Sequence, residues 1–387
     1  MKTGTRTLLL ATFLNNIGGG IYWPFLSLHL YDLGASYLQI ALLDSLSAIM
    51  YITSRVWGAA SDYYGTRKPF IVIGTGLSAV PIFLCGLVNS PGPIIAFFMV
   101  SSFFGAISFP SLLAALTAVE EKGRVIGWYS MLSALGWAAG TFSMGFVYES
   151  FGAIGVYAIA AALIVLSALI VILYPRESRV TRDKSLRGYV KSAFSFKFKA
   201  PKEFVWLLLA MFLCWFGFQW SGPLLRLRFY DLLQHSKIML GIVWGVSASV
   251  SGAFVSPLAG RLADRFGGGR MLQVTILIYA LYTPLFAFVN DPTLFSILWI
   301  VPIWTFNWVA AFSTPAQMTS ESVRGEAMGA LNTATYLGVM LGVMGGVFAD
   351  IFNRELGILI TPLFFAVTWI ALLPLVKFYR KNQPNKR

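Results

Sequence analysis

The chain has 387 residues, of which 57% are hydrophobic and 12% are charged, and its formal net charge is +13. A soluble domain typically carries about 25% charged residues, so the composition excludes an ordinary soluble enzyme and indicates a membrane protein. The positive charge does not indicate nucleic-acid binding, because the apolar sequence leaves no soluble domain on which a basic face could form.

Twelve apolar runs of roughly 20 residues, the length that crosses the hydrocarbon core of a bilayer, follow one another along the chain. They predict helices, because the runs are continuously apolar and do not alternate as the strands of a membrane barrel do. We therefore expect an all-α membrane protein with two six-helix bundles, at residues 1–174 and 204–387, joined by a basic linker at residues 175–203. The predicted spans cover residues 7–30, 36–57, 69–88, 93–117, 124–148, 153–174, 204–227, 237–259, 271–289, 294–317, 326–350 and 356–376.

The linker contains apolar residues at helical spacing between basic side chains. This pattern predicts an amphipathic helix that lies on the inner leaflet of the membrane. The alternative is a solvated tether. The apolar positions are Leu186, Tyr189, Val190, Ala193 and Phe194, and the basic positions are Arg187, Lys191 and Lys197.

The two halves of the chain repeat each other at an offset of 202 positions, for example between Asp62 and Asp264 (264 minus 62). Such a match predicts that the two bundles are related by gene duplication and are pseudo-symmetric. In a membrane protein, two homologous halves indicate a substrate path along the seam between them. The matched glycines are Gly58 and Gly260, Gly65 and Gly267, Gly123 and Gly325, Gly127 and Gly329, Gly136 and Gly338, Gly140 and Gly342, and Gly155 and Gly357.

Basic residues predict the orientation of the spans in the membrane. With the N-terminus in the cytoplasm, all lysines and arginines except Arg226, Arg228, Lys237 and Arg354 fall in cytoplasmic segments. Positive charge is retained on the cytoplasmic side during insertion. We therefore expect a protein of a cell membrane with both termini in the cytoplasm. Arg226 and Arg228, near the outer end of span 7, are expected to extend to the membrane surface.

One short motif occurs twice, at matching positions of the repeat. It reads Gly58-Ala-Ala-Ser-Asp62-Tyr-Tyr-Gly65-Thr-Arg67-Lys68 between spans 2 and 3, and Gly260-Arg-Leu-Ala-Asp264-Arg265-Phe-Gly267-Gly-Gly-Arg270 between spans 8 and 9. Both copies resemble the cytoplasmic signature G-x-x-x-D-[RK]-x-G-[RK]-[RK] of the major facilitator superfamily. The first copy departs from it at Tyr63, where a basic residue is usual. The resemblance covers the whole chain and implies the major facilitator fold and transport by alternating access.

The resemblance also implies that the motif aspartates latch a cytoplasmic gate. Asp62 is expected to reach the start of span 11 near residues 325–328, and Asp264 the start of span 5 near residues 123–125. A carboxylate just past a helix end can accept hydrogen bonds from the N-terminus of a neighbouring helix and complement its dipole. The alternative is a static staple with no role in gating. The expected gate residues are Gly58, Asp62, Gly65, Arg67, Lys68, Gly260, Asp264, Arg265, Gly267 and Arg270.

Spans 5 and 11 carry a second repeated element, Gly-(x8)-Gly-(x3)-Gly, which begins at Gly127 and Gly329. Small residues four apart let helices approach closely in lipid. The span 5 copy also resembles the antiporter motif of the superfamily, although Thr141 stands where a proline normally follows the third glycine. The resemblance favours export, and ordinary helix packing is the alternative.

Ionisable residues within spans are costly, so they are candidate functional residues. Asp44 in span 2 is the clearest, since a carboxyl that changes protonation between gate states can carry a proton or balance a cationic substrate. The alternative for Asp44 is a structural hydrogen bond. His29 and Asp32, at the outer end of span 1, are also candidates for proton or cation coupling, and the alternative is that they are partly solvated gate residues of an extracellular network.

The resemblance implies that spans 1, 4, 7 and 10 line a central cavity. Their middle thirds combine aromatic side chains with a few amides and hydroxyls, as the pockets for small organic molecules do. Aromatic stripes at helical spacing can also be simple packing, whereas mid-span amides facing lipid would be unsatisfied. The expected cavity residues are Asn15, Asn16, Tyr22, Trp23, Ser101, Phe104, Ser108, Trp215, Phe216, Gln219, Trp220, Trp304, Asn307 and Trp308.

These patterns predict a monomeric secondary active transporter that exports a small, partly apolar, neutral or cationic compound in exchange for protons. We expect no enzymatic activity, cofactor or metal ion, because the chain has two histidines without metal-ligand spacing and no Gly-Lys-Ser/Thr phosphate loop. Three alternatives stay open: a symporter or facilitator for sugar-like or nucleoside-like solutes, a lipid or lysolipid carrier, and a non-transporting membrane sensor.

Overall fold

The computed structural model describes residues 3–117, 122–175, 185, 187–188, 201–319 and 324–382. Its regular elements in the first half of the chain are six helices. They are α1 (Thr3–Asp32), α2 (Tyr37–Ile52), α3 (Ser54–Tyr64), α4 (Lys68–Cys85), α5 (Pro91–Thr117) and α6 (Lys122–Ile172). The linker positions Leu186, Tyr189, Val190, Ala193, Phe194, Lys191 and Lys197 lie outside the described residues, so the amphipathic helix stays a prediction.

The second half is also helical, but its spans are more often broken in two. A π-helical turn at Val250–Val255 interrupts span 8, and breaks at Pro284, Pro302, Val343 and Leu372 divide the later spans. The helices are α7 (Phe204–Leu232), α8 (Lys237–Ser249), α9 (Ser256–Phe266), α10 (Gly268–Tyr282), α11 (Leu285–Phe288), α12 (Pro292–Ile300), α13 (Ile303–Met318), α14 (Arg324–Leu341), α15 (Met344–Ile351), α16 (Arg354–Ala371) and α17 (Leu373–Asn382).

The predicted all-α membrane fold is confirmed. Within the described ranges, eight helical segments are long and apolar enough to cross a membrane, and a ninth is added if α8 and α9 form one bent span. One of the eight, α6, contains two predicted spans, which meet at Gly152, where the backbone leaves the helical region (φ 65°). With α1 and the α2–α3 pair, these elements account for the twelve predicted spans.

The sequence repeat is visible in the helix boundaries. Both ends of α3 lie 202 residues before those of α9 (256 minus 54, 266 minus 64). Each of these two helices is followed by a glycine with positive φ, Gly65 at 63° and Gly267 at 86°. Glycine adopts positive φ without a steric penalty, but the two ends differ, since Gly65 is left-handed helical (ψ 24°) and Gly267 is not (ψ 136°).

The described residues form two compact units, each with its own apolar core. Unit 1 comprises residues 1–35, 49–195 and 235–249. One of its core clusters joins α1, α4, α5 and α6 through Leu8, Ile71, Leu116 and Val171. Unit 1 thus consists mainly of the first half of the chain and also contains α8 from the second half.

Unit 2 comprises residues 36–48, 196–234 and 250–387. Its core brings α7, α10, α13 and α16 together through Met211, Leu272, Ala310 and Phe365. It consists mainly of the second half of the chain and also contains the first three turns of α2, which carry Asp44.

The repeated glycines bring helices together within each unit. In unit 1, a Cβ atom on Gly140 would lie 2.1 Å from the carbonyl oxygen of Ile17 in α1. In unit 2, a Cβ atom on Gly338 would lie 2.3 Å from the carbonyl oxygen of Phe212 in α7. Spans 5 and 11 therefore approach spans 1 and 7 more closely than any larger residue would permit.

Candidate functional site

A buried polar cluster lies within unit 2, where α2 meets α7. One carboxylate oxygen of Asp44, Oδ2, lies 3.7 Å from Nη2 of Arg226. The side-chain amide of Gln219 donates to the same oxygen at 3.4 Å and to the carbonyl oxygen of Ala41 at 3.3 Å. The side chains of Arg226 and Asp44 are only 10% and 14% exposed. Two opposite charges and an amide thus meet inside the membrane-spanning part of the protein.

The expectation that Arg226 and Arg228 extend to the membrane surface is wrong. Arg226 is 8% exposed and Arg228 is 7% exposed. Snorkelling is the default for an arginine near a span end, but here both guanidinium groups have buried partners. Arg226 faces Asp44, and Arg228 donates to Phe286, Ala287 and further acceptors of the same unit.

His29 and Asp32 have different partners, although both lie near the outer end of α1. His29 Nδ1 is 3.0 Å from the hydroxyl of the buried Tyr157. Asp32 pairs with Lys237 at the start of α8, at 2.6 Å. The ammonium of Lys237 also lies 4.2 Å from the ring centre of Tyr148. Asp32 therefore belongs to a charged contact between α1, α6 and α8, whereas His29 lies in the core of unit 1.

In unit 1, the polar side chains of several expected cavity residues already donate hydrogen bonds to backbone carbonyls. The Ser101 hydroxyl donates to the carbonyl of Ser78 at 2.9 Å, and Asn16 donates to the carbonyl of Thr12 at 2.8 Å. Asn15, by contrast, is exposed. The remaining contacts are Ser108 to the carbonyl of Gly105, Phe104 against Phe103, Tyr22 against Phe98, and Trp23 against Trp137.

In unit 2, three expected cavity tryptophans form one cluster. Trp215 makes edge-to-face contacts with Trp304 and Trp308, with ring centres 5.4 and 5.8 Å apart. Trp304 and Trp308 are 40% and 42% exposed, so their ring surfaces are available to a ligand or to lipid. Tryptophan favours the membrane interfaces, and these three lie in the middle of their predicted spans.

The other expected cavity residues of unit 2 do not join this cluster. Asn307 is 2% exposed and donates to the hydroxyl of Thr275 at 3.3 Å. Trp220 donates its indole N–H to the carbonyl of Gly357 at 2.8 Å, and Phe216 packs on Phe364. The helical spacing predicted that Trp304, Asn307 and Trp308 share one face of span 10. In the structure, the amide of Asn307 faces the core of unit 2, whereas the indoles of Trp304 and Trp308 do not.

The sequence predicted that the repeated glycine–aspartate motif forms loops after spans 2 and 8. In the structure most of each copy is helical, so this prediction is corrected. Asp62 lies in the last turn of α3 and Asp264 in the last turn of α9, rather than past the helix ends. Both aspartates are exposed, as is Arg265, whereas Gly267 is buried. The apolar run of each span ends before its helix does, because hydropathy marks the hydrocarbon boundary and not the last helical turn.

The basic residues of the first motif hold neighbouring elements of unit 1. Arg67 donates to the carbonyl of Ala114 in α5 at 2.9 Å. Lys68 donates to the carbonyls of Ile172 and Tyr174 at the end of α6. In the second motif, Gly268 donates its backbone N–H to the side chain of Gln317 at 2.9 Å.

Two residues of unit 2 were missed by the sequence reasoning. One is Arg226, the partner of Asp44. The other is Asp350 in α15, whose two carboxylate oxygens accept the backbone N–H groups of Tyr37 and Leu38 at 2.8 and 2.9 Å. Asp350 thus caps the N-terminus of α2, the helix that carries Asp44. The sequence did indicate that Asp44 has a partner, because an aspartate within a span needs a nearby cation or hydrogen-bond donor.

Comparison with known families decides the class of the protein. A sequence model of the Major Facilitator Superfamily matches residues 8–343. The chain belongs to this superfamily. It is therefore a multi-pass membrane transporter with the twelve-helix fold of that superfamily and a small-molecule substrate.

The chain is similar to bacterial transporters named for drug resistance. It is 28% identical over 297 residues to the multi-drug resistance efflux pump PmrA of Streptococcus pneumoniae, with 72% of this chain and 73% of that protein covered. It is 26% identical over 297 residues to the multidrug resistance protein MdtG of Erwinia billingiae, with 74% and 72% covered.

Solved structures with the same fold belong to more distant relatives. The nucleoside transporter NupG has a TM-score of 0.75 at 15% identity, and the match covers 97% of this chain and 100% of that one. A bacterial homologue of the human lysosomal transporter Spinster, in an inward-facing and occupied conformation, has a TM-score of 0.74 at 17% identity, covering 99% and 98%. These similarities concern the fold alone.

Proposed function

We propose that this protein exports a small, partly apolar organic compound, neutral or cationic, across a cell membrane in exchange for protons. The observation that carries the proposal is the buried Asp44–Arg226–Gln219 cluster in a chain related to drug efflux pumps. We further propose that the protein works as a monomer by alternating access, with both termini in the cytoplasm.

Asp44 has the chemistry that coupling to protons requires. It is an ionisable residue within a span, and such residues mark ion and proton pathways because their burial is costly. Gln219 and Arg226 supply a hydrogen bond and a positive charge to the same oxygen, so the ionised carboxylate is stabilised in place. A proton or a cationic substrate can compete for that oxygen, which would link the movement of one to the movement of the other.

The aromatic residues of unit 2 favour a partly apolar substrate. Trp304 and Trp308 expose part of their rings in the middle of a span. Indole faces attract organic cations and stack on flat aromatic groups. Arg226 is paired with Asp44 and so contributes no net positive charge that would select an anion. The similarity to a nucleoside transporter concerns the fold alone and does not favour a nucleoside substrate.

Asp44→Asn is expected to abolish pH-driven accumulation of substrate while leaving the exchange of neutral compounds intact. The asparagine keeps the size of the side chain but cannot bind and release a proton. The measurement is uptake into inside-out proteoliposomes of labelled organic cations and neutral aromatic compounds, with and without an imposed pH gradient. Counterflow of the same compounds in the absence of a gradient reports exchange.

The matched control for Asp44→Asn is Glu149→Gln, the same chemical change at an exposed carboxyl near the outer end of span 5. Glu149→Gln should leave both assays unchanged. Undiminished pH-driven accumulation by Asp44→Asn would refute proton coupling at this residue. Movement of labelled lysolipid but of none of the small compounds would favour the lipid carrier, and no movement of any solute would favour the sensor.

Asp62→Asn is expected to shift the protein from outward-facing to inward-facing states. The exposed carboxylate in the last turn of α3 is the proposed latch of the cytoplasmic gate. Trp128 and Phe266 are exposed, and each can be replaced by a cysteine that carries a spin label. Electron paramagnetic resonance then measures the distance between the two labels, at the predicted cytoplasmic ends of the two halves. The native cysteines, Cys85 and Cys214, are buried and need not be removed. An unchanged distance distribution with a lower melting temperature would favour the static staple.

A further inference from the structure

The outer segments of spans 2 and 8, on the side predicted to be extracellular, each belong to the unit formed mainly by the other half of the chain. Residues 36–48 of span 2 are part of unit 2, and residues 235–249 of span 8 are part of unit 1. The repeat relates the two segments, because residues 36–48 shifted by 202 positions become residues 238–250. Each span is also interrupted near the point where it changes unit, at Thr53 and at the π-helical turn Val250–Val255. Such breaks let the outer segment of a span move relative to its inner part.

The first turn of α2 is held by a carboxylate from span 11. Asp350 accepts the backbone N–H groups of Tyr37 and Leu38 at 2.8 and 2.9 Å. The next N–H group is covered locally, since Gln39 donates to the hydroxyl of Ser36 at 3.2 Å. The first N–H groups of a helix have no partners within it, and a negative charge beside them complements the helix dipole. Two donors of this turn thus depend on span 11 and not on the chain that precedes the helix.

Close packing continues the contact between α2 and span 11 along the helix. A Cβ atom on Gly346 would lie 2.6 Å from the carbonyl oxygen of Tyr37, and the hydroxyl of Ser45 donates to the carbonyl of Val339 at 3.1 Å. Asp350 itself is exposed. Water can therefore hydrate the two N–H groups at the start of α2 when the carboxylate leaves, so the separation leaves neither of them unsatisfied.

The matched segment of span 8 is held at the same position of the repeat by different chemistry. Lys237 at the start of α8 pairs with Asp32 at 2.6 Å, and its ammonium lies 4.2 Å from the ring centre of Tyr148. Tyr148 is the repeat partner of Asp350 (350 minus 202). The outer ends of spans 5 and 11 thus hold the starts of spans 8 and 2, through an aromatic ring in one half and a carboxylate in the other.

We propose that Asp350 is the latch of an extracellular gate. It holds the outer segment of span 2 against span 11 while the transporter is closed to the outside, and it releases the first turn of α2 when the outside opens. The inference rests on the alternating access of the proposed function, but not on the substrate or on proton coupling. Its role is opposite to that proposed for Asp62, whose loss favours the inward-facing state.

Asp350→Ala is expected to shift the protein towards outward-facing states, because only the closed state loses its cap. The ratio of outward-open to closed protein should rise about two- to thirtyfold, the factor that one helix cap contributes when only one of two states keeps it. Phe151 and Phe288 are exposed near the predicted outer ends of the two halves, and each can be replaced by a cysteine that carries a spin label. Electron paramagnetic resonance then measures the two populations in the full-length protein.

Asp291→Ala is the matched control, because Asp291 is also an exposed aspartate at a helix N-terminus. Its carboxylate accepts the N–H group of Leu294 at 2.6 Å, but it caps α12, the helix that directly follows it in the chain. Asp291→Ala should lower the Tm to a similar extent without changing the ratio. Equal ratios in Asp350→Ala and Asp291→Ala, in a protein whose wild type shows both populations, would overturn the latch.

The wild type tests the proposed alternating access separately. The distances between the outer labels and between the labels at Trp128 and Phe266 should change in opposite directions as pH and added organic cations are varied. A single, unchanging distance at both pairs would refute alternating access, and the inference would fail with it.

Amide hydrogen exchange separates a gate latch from a purely local cap. Loss of a local cap would speed exchange only in the first turn of α2, whereas opening of the gate should also speed exchange at residues 237–241 in the matched segment of unit 1. Faster exchange confined to residues 36–40 would therefore overturn the latch. If Asp350→Ala does not fold, Asp350→Asn gives the same comparison. Asparagine keeps the size of the side chain but offers one oxygen to two N–H groups, so it should cause a smaller shift in the same direction.

Discussion

Gly140→Ala is expected to destabilise the protein by about 3 kcal/mol or more, at or above the upper end of what overpacking in a core usually costs. The added Cβ atom would lie 2.1 Å from the carbonyl oxygen of Ile17 and 2.9 Å from the backbone nitrogen of Ile21. Both are backbone atoms of α1, which cannot rotate away as a side chain can. Helices α1 and α6 would have to separate along their contact, and the Tm in detergent measures the loss.

Gly127→Ala is the matched control, in the same helix and the same repeated motif. Among the described residues, nothing lies within 4 Å of a Cβ atom built on Gly127. Alanine there should stabilise the protein by about 0.5–1 kcal/mol, because it restricts the unfolded chain and favours the helix. Gly338→Ala, whose Cβ atom would meet Phe212 O at 2.3 Å, should resemble Gly140→Ala. Equal Tm values for Gly140→Ala and Gly127→Ala would refute the close-packing argument.

This contrast bears on how the glycine motif of span 5 is interpreted. The resemblance to an antiporter motif favoured export, but the structure gives Gly136 and Gly140 a direct physical role in packing against α1. Thr141, in the place of the usual proline, keeps the helix regular and donates its hydroxyl to the carbonyl of Trp137 at 2.8 Å. The geometry alone therefore explains why small residues are required at two of the three positions.

The fold could be predicted from the sequence because hydropathy and the repeat both act over long stretches of chain. The break at Gly152 separates two spans that the apolar runs had already divided, and α3 and α9 keep the 202-residue offset at both ends. The short helices and the π-helical turn of the second half could not be predicted. They depend on local backbone geometry around residues such as Pro284 and Pro302, which hydropathy does not register.

The candidate site could be predicted only in part. Asp44 stood out because it is an ionisable residue within an apolar span, but its partner lies 182 positions further along the chain (226 minus 44). No periodicity relates the two residues, and a basic residue near a span end is normally taken to reach the surface. The helical spacing that grouped Trp304 with Asn307 could not tell which side of α13 faces the core, because both sides are rich in apolar residues.

Arg228 is the residue whose loss should affect unit 2 most. Its guanidinium closes the C-terminal end of α11, where it donates to the carbonyls of Phe286, Ala287 and Val289 at 2.7, 3.0 and 3.3 Å. It also donates to the side chains of Asn290 and Glu355, at 2.8 and 2.9 Å. The last carbonyls of a helix have no partners within it, so the arginine satisfies groups that would otherwise be buried without a hydrogen bond.

Arg228→Met is therefore expected to lower the free energy of unfolding by roughly 3–5 kcal/mol, because three carbonyls lose their donor and each unsatisfied buried group costs about 1–3 kcal/mol. The methionine fills much of the space but leaves three carbonyls without their donor. Arg228→Lys should lose less, since one ammonium can serve some of these acceptors but lacks the planar fork that reaches all of them. The Tm values of the purified variants, measured side by side, provide the comparison.

Glu355→Gln separates the two contributions of Arg228. Glu355 is 42% exposed, so its ion pair with Arg228 should contribute less than about 1 kcal/mol. If the carbonyls at the end of α11 dominate, Glu355→Gln will melt close to the wild type while Arg228→Met melts far below it. A large loss in Glu355→Gln would instead assign the stabilisation to the ion pairs that Glu355 makes with Arg228 and Arg354. Arg228 would then hold α16 to α7 through charge, rather than holding the end of α11 through its backbone.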